Sequence, residues 1–161
     1  MSRQFSMVAE LSPVSLLAPA ADAAGRTSSY RSLKNADKAY VLVHINQGNA
    51  ATVAITLLQA KDVSGTGSKA LAATPIWLND ATATSDAMVA QAAAAGFTTD
   101  ANVADKLVLF EIEPEACLDV ANGFRSIAVQ TGASNAANIT EAKLHILNSY
   151  KQATPPSSYT N

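Results

Sequence analysis

An antiparallel all-β sandwich, or jelly roll, with extended terminal arms is the fold this sequence predicts, on three observations. Apolar residues recur with a period of two in long runs, above all in Ala39–Ala60 (AYVLVHINQGNAATVAITLLQA) and Lys106–Glu113 (KLVLFEIE). Glycine- and asparagine-rich breaks, such as Asn46-Gln47-Gly48-Asn49 and Asn122-Gly123, punctuate them at short spacing. The crossover helices that a parallel sheet needs are not written between the runs.

The central stretch organises the rest. Val41, Val43 and Ile45 fall on one face of its first half, and Tyr40, Leu42 and His44 on the other. After Asn46-Gln47-Gly48-Asn49, Thr52–Leu58 resumes with β-branched residues, so the two halves predict a hairpin. An isolated hairpin is marginal in water, so further strands and a second layer must cover it.

In chain order, Arg3–Leu11 sets Phe5, Met7 and Ala9 against Gln4, Ser6, Val8 and Glu10, which reads as an edge strand or an arm laid on something else. Ser15–Ala20 reads as another short strand, confined to an edge by the missing donors of Pro13 and Pro19. Ala21–Asn35 reads as loop. Here Arg26, Arg31, Lys34 and Lys38 stand against Asp22 and Asp37, a balance of 4 − 2 = +2, which suits a solvated loop or contact with an acidic neighbour. Lys61–Lys69 is a Gly/Ser-rich connection. It lacks the phosphate-binding order, because Ser68 precedes Lys69 instead of following it. In Pro75–Asn79, Trp77 reads as a core anchor.

Ser85–Gly96 sets two rules against each other. A capping serine, an alanine run and a closing glycine favour helix, while the neighbouring strands and an equally possible alternation favour strand, and the sequence leaves both open. Phe97–Thr99 reads as extended and Asp100–Asp105 as a capped turn. In Lys106–Glu113, Val108, Phe110 and Ile112 face one way and Leu107, Leu109, Glu111 and Glu113 the other, until Pro114 ends the run. Phe124–Thr131 follows, with Arg125, Ile127 and Val129 sharing a face. Ala142–Tyr150 closes the set, with Leu144, Ile146 and Tyr150 inward and Lys143, His145 and Ser149 outward. Thr131–Thr140 echoes Gln47–Thr56, each with Asn-Ala-Ala after a glycine, as equivalent hairpins in two halves of a sandwich would. The domain division is residues 1–25 as arm and edge strand, 26–153 as sandwich and 154–161 as an extended tail.

Composition limits the function classes. The chain has 161 residues, of which 48% are hydrophobic and only 15% charged, against about 25% charged in an ordinary soluble domain, so its surface suits burial in an assembly. A net charge of 11 − 13 = −2 gives no basic field for nucleic acid. No apolar run approaches the roughly 18 residues of a membrane span, and Glu10 and Pro13 argue against a signal peptide. The single cysteine, Cys117, offers neither a disulfide framework nor a cysteine-rich zinc site and reads as a small apolar residue.

No catalytic constellation emerges. Asp100–Asp119 carries six acidic residues against Lys106, a balance of 1 − 6 = −5, and Glu111, Glu113 and Glu115 could bind calcium or act as a carboxylate pair. Solvation or a basic partner explains them with fewer assumptions. His44 and His145 read as ordinary strand histidines, and Ser126, Ser149 and Asp119 assemble into no triad from sequence. Asn138-Ile139-Thr140 is a formal glycosylation sequon without any sign of a secretory route. No enzyme activity, cofactor or metal is expected.

Three stretches, KAYVLVHINQGNAATVAITLLQA, LVLFEIEPEACLDVANGF and VQTGASNAANITEAKLHILNSYKQATPP, spanning roughly Lys38–Pro156, resemble the small virion structural proteins of tailed bacteriophages, of the capsid decoration or cement type. That resemblance implies an antiparallel sandwich or jelly roll, oligomeric as a trimer in preference to a dimer. It also implies a non-enzymatic protein clamped on the outer surface of a capsid, bridging subunits of a major capsid protein, with no nucleic acid or membrane partner. Contact residues of the family cannot be mapped onto this chain. The residues themselves nominate Phe5, Met7, Pro155, Pro156 and Tyr159, apolar groups outside the central core whose prolines already restrict the chain. The competing readings are a phage tail component, a carbohydrate-binding sandwich using Trp77 with Glu111 and Glu113, and, more remotely, a hydrolase.

Overall fold

The computed structural model describes residues 5–149 and 154–160. Half of the described residues are strand, in two antiparallel six-stranded sheets packed as a sandwich. In order come α1 (Met7–Glu10), β1 (Leu11–Ala21), β2 (Arg26–Thr27), β3 (Arg31–Ser32), β4 (Ala36–Gln47), β5 (Ala54–Ala60), β6 (Lys69–Ala70) and β7 (Thr74–Asn79). Then follow β8 (Val89–Ala94), β9 (Gly96–Thr98), β10 (Asp105–Ile112), α2 (Pro114–Cys117), a 3-10 turn (Val120–Asn122), β11 (Ser126–Thr131) and β12 (Asn138–Asn148). The first sheet runs β1-β12-β4-β10-β7-β8. The second runs β2-β11-β5-β6, with β3 also on β11 and β9 also on β5.

The core lies where the period of two placed it. Val41, Val43 and Ile45 of β4 are completely buried, as are Val108, Phe110 and Ile112 of β10 and Leu144 of β12. They meet Ile55, Leu57, Ile127 and Val129 of the second sheet, and Val53 just ahead of β5. Tyr40, Leu42 and His44 lie half-buried on the outer face, as the alternation predicts.

The central hairpin is corrected. β4 pairs with β10 and β12, whereas β5 pairs with β11, β6 and β9, so the two strands face each other across the core instead of lying side by side. Each carries a mainly apolar inner face, with Gln47 the polar exception in β4 and Gln59 in β5, and stacking those faces buries both at once. Residues 48–53 therefore form an arch from one sheet to the other. Residues 132–137 form a second arch, running back from β11 to β12. The sequence echo is real in this sense, though it marks paired arches and not hairpins. Asn138 locks them together: it is fully buried, accepts the Asn49 N–H at 2.8 Å and donates to the Ala51 carbonyl at 2.8 Å and Ser134 Oγ at 2.9 Å.

Other expectations shift as well. Within Arg3–Leu11, Met7–Glu10 is a helical turn, because the Ser6 carbonyl accepts from the N–H groups of Ala9 and Glu10 while the Glu10 carboxylate takes the Ser6 N–H at 3.2 Å. The edge strand starts at Leu11 instead and tolerates Pro13 and Pro19 by breaking register at Ser15/Leu17 and Leu17/Ala20. Ser85–Gly96 resolves as strand. Val89–Ala94 pairs with β7, and tertiary pairing overrides the helical propensity of its alanines. Trp77 is no core anchor: Ile76 and Leu78 take the inner positions opposite Phe110 and Val108, which leaves Trp77 half-buried on the outer face opposite Leu109. The Lys61–Lys69 connection is held in place, since Asp62 Oδ1 accepts the N–H groups of Ser64 and Thr66 at 2.9 and 3.1 Å. β11 is buried on both faces from Ser126 to Val129, between β5 on one side and β2 and β3 on the other. Tyr150, expected to point inward, lies outside the described residues.

Candidate assembly surface

The antiparallel register Leu11↔Leu147 and Ser12↔Ile146 brings the start of β1 and the finish of β12 to one end of the sandwich. Asn148 Nδ2 donates to Ser12 Oγ at 3.1 Å, and the Ser149 N–H donates to the Asn35 carbonyl at 3.2 Å. The tail returns to the same end. The Ser158 carbonyl accepts the Ser32 N–H at 2.8 Å, and the Tyr159 ring lies over the Arg31 guanidinium, 3.9 Å from its centroid.

All five nominated contacts are therefore placed at or beside this end. Phe5 is 64% exposed, Met7 45% and Tyr159 59%. Pro155 is half-buried and Pro156 exposed. Sequence reasoning missed Val8, 70% exposed beside Met7, because a strand alternation had turned it to the other face. It also missed Ser158, which anchors the tail by a backbone bond that no side-chain pattern records.

Two shallow depressions open at this end. One, of about 290 Å³, has Leu33, Pro114, Leu118 and Phe124 as apolar walls, with Lys34, Glu115 and Arg125 at its margin. The other is bounded by Asp37, Lys38, Glu113 and Ser149, and both share Ala36, Pro114 and Glu115. Lys38 and Glu113 pair at 2.8 Å, and the hydrogen bond and charge of Lys38 hold the Glu113 carboxyl below its ordinary value.

The acidic segment is half neutralised by lysines, two of them distant in sequence. Of its six carboxylates, Asp100 is bound by Lys106, Glu113 by Lys38 and Asp119 by Lys69 at 2.5 Å. Hydrogen bonds from Lys69 and Asn122 lower the Asp119 pKa. Lys106 is the surprise. Its side chain occupies an inner-face position of β10 and is 1% exposed, yet its ammonium reaches Asp100 at the mouth of the sandwich. Asp100 is held below its usual value by that bond. The basic segment is likewise used structurally. Arg26 donates to the carbonyls of Ala18, Ala20 and Thr140 at 2.8, 3.1 and 2.6 Å and to the buried carboxylate of Asp22 at 3.2 Å. Thr131 joins this knot by donating to Asp22 at 2.8 Å.

The remaining chemical candidates are not assembled. Among the described residues, no group of three or more His, Cys, Asp or Glu is placed to hold a metal ion. His44 Nδ1 lies 3.8 Å from Glu141 Oε1, and His145 stands opposite Tyr40, with its pKa lowered by burial and then by Lys143. Ser149 is bound to the Asn35 carbonyl and Asp119 to Lys69, while Ser126 is buried between β3 and β5, so the three do not meet around a histidine. Cys117 is buried. The Asn138 sequon is closed, because both ends of its buried amide already serve the arches. Trp77 and Glu111 do share the outer face of the first sheet, but the depression formed by Lys38, Pro75, Glu111 and Glu113 is not lined by Trp77. No helix among the described residues is long and apolar enough to cross a membrane.

No known protein-family model matches the chain. No curated protein matches it significantly by sequence. Among solved structures it is similar to the SPBc2 prophage-derived protein YomS, at 9% identity and a TM-score of 0.47, over 89% of this chain and 99% of that one. It is also similar to Triatoma virus, at 12% identity and a TM-score of 0.39, over 100% of this chain and 73% of that one. A third likeness, at 15% identity and a TM-score of 0.30, is to a candidate sugar binding protein from Bacteroides thetaiotaomicron, over 80% of this chain and 66% of that one. At such identities these are likenesses of shape, and none of them assigns a function or a partner to this chain.

Proposed function

We propose that this chain is a non-enzymatic structural protein of a phage virion, which sits on the outer surface of the capsid and bridges subunits of the major capsid protein. The observation that carries this reading is the convergence of residues 5–10 and 154–160 at one end of the sandwich. There Phe5, Met7, Val8 and Tyr159 leave large apolar side chains uncovered, although the core closes without them. Apolar groups held in the open at that cost in hydration are what a docking surface requires. The low charge content and the sequence resemblance support the same reading. A phage tail position would use the same surface, and the location of the density in a virion image separates the two.

The test is binding of the full-length protein to purified shells, beside a form lacking Thr154–Asn161. The tail is pinned through Ser158 and Tyr159 at the edge of the sandwich, outside its core, so the shortened form should melt almost as the parent does and bind shells more weakly. Unchanged binding by the shortened form would remove the tail from the contact. Failure of the full-length protein to bind any shell would end the decoration reading.

A further inference from the structure

A sheet edge offers unpaired N–H and C=O groups to any strand that can lie beside it, so folded proteins blunt their edges. Among the described residues of this protein, the edges are blunted by proline, by charge or by shortness, except one that carries a bulge alone. β1 carries Pro13 and Pro19 and breaks register twice. In the second sheet β2, β3, β6 and β9 are only two or three residues long, and the first three carry Arg26, Arg31 and Lys69. β8 differs: it is six residues long, VAQAAA, without proline or charge, and it pairs with β7 alone. Residues 87–99 hold no charged side chain. Val89 is 59% exposed, and Ala90, Ala92 and Ala93 are exposed too. The bulge in β8 opposite Pro75 leaves Val89–Gln91 in regular register, and only the Gln91 amide, donating to the Val89 carbonyl at 3.2 Å, partly covers the strand.

We propose that β8 is the surface through which two copies of this chain associate, pairing antiparallel across a two-fold axis to join their first sheets into one, six strands from each. Such an axis makes the strand its own neighbour, so the sequence must tolerate itself. Any charge near the centre would meet its own copy, and the uncharged run removes that penalty. Asp86, which precedes the strand, lies at opposite ends of the joint in the two copies. An acidic or basic partner strand would find no complementary charge here. Exposed alanines let the joined sheet continue without a steric barrier, and Gln91 is free to turn from Val89 and bond across the axis. This inference stands without the shell reading, because β8 is at the opposite edge of the sheet from β1 and leaves the surface around α1 uncovered.

The experiment is sedimentation of the full-length protein over a wide concentration range, with Ala90→Lys, Ala90→Glu and their equimolar mixture. Ala90 is exposed and lies opposite Trp77, so neither substitution enters the core, and a melting curve checks that each variant is folded. Pairing centred on Ala90 or on Gln91 puts the new charges directly or diagonally opposite one another. The parent should dimerise, each variant should weaken the dimer by roughly tenfold or more, and the mixture should recover it as a Lys/Glu heterodimer. A parent that stays monomeric, a dimer indifferent to Ala90→Lys, or a mixture that fails to pair would each overturn the proposal. Shell binding by the Ala90→Lys monomer is a separate readout and reports on the shell reading alone.

Discussion

Asn138 shows how much of this fold rests on single buried polar groups. Replacing it with alanine takes the side-chain partner from the Asn49 N–H and leaves the Ala51 carbonyl only the longer bond from Gln47 Nε2 at 3.4 Å, and should cost about 2–4 kcal/mol in urea unfolding. Val43→Ala, at a site with no exposure, should cost roughly 1–3 kcal/mol through lost apolar burial and the cavity left behind. An unchanged melting curve in either variant would contradict the packing described. Lys106 and Asp100 add a pH dependence whose sign is fixed by direction. The folded state holds the Asp100 carboxyl below its ordinary value, so the pair stabilises fully above about pH 4 and loses that stabilisation as pH falls through the lowered value. Lys106→Met keeps the buried stem and removes the ammonium. Denaturant midpoints measured between about pH 5 and 2 should therefore fall less steeply in Lys106→Met than in the parent. His145 has the same sign at higher pH: burial lowers its pKa, so the neutral form is favoured in the fold, and stability should decline as pH falls below about 6.5.

At the scale of the element, the strands were legible and their partners were not. The alternation in Ala39–Gln47 and Lys106–Ile112 names the buried face residue by residue, because a pleated strand leaves no other choice. What alternation cannot carry is which strand lies beside which. A six-residue break after Gln47 serves a wide hairpin or an inter-sheet arch equally well, and the decision falls to Asn138, ninety residues further on. In the same way, Ser85–Gly96 was locally balanced between two states, and pairing with β7 settled it. The apolar residues of the candidate surface were readable as a composition, Phe5 and Met7 among them, but not its geometry, since that depends on the Leu11↔Leu147 register and on the Ser32–Ser158 bond. Gly96 tests the step from β8 in one sheet to β9 in the other. A Cβ built there would stand 2.4 Å from the Ile55 carbonyl oxygen, a backbone atom with little room to move. Gly96→Ala should therefore destabilise by about 1–3 kcal/mol in a thermal melt, and a neutral result would mean that β5 and β9 can separate without cost.

For the whole molecule, the two ends of the sandwich divide the work. At one end Asp22, Arg26 and Thr131 form a buried knot, and the arches close over Asn138, so polar groups are spent on holding the sheets together. At the other, α1 and the tail present apolar groups that the described residues leave largely exposed. A change at the first end should therefore appear in stability and a change at the second in association. Phe5→Ser with Val8→Ser tests that division: both residues are more than 60% exposed, so the double variant should melt within about 0.5 kcal/mol of the parent. If both side chains are buried against a shell, each forfeits about 1.5 kcal/mol of apolar burial, or roughly tenfold in affinity, which a titration of purified shells would read directly. Equal shell affinity for parent and variant would place the contact elsewhere on the molecule, and a large loss of melting temperature would show that α1 belongs to the fold and not to the docking surface.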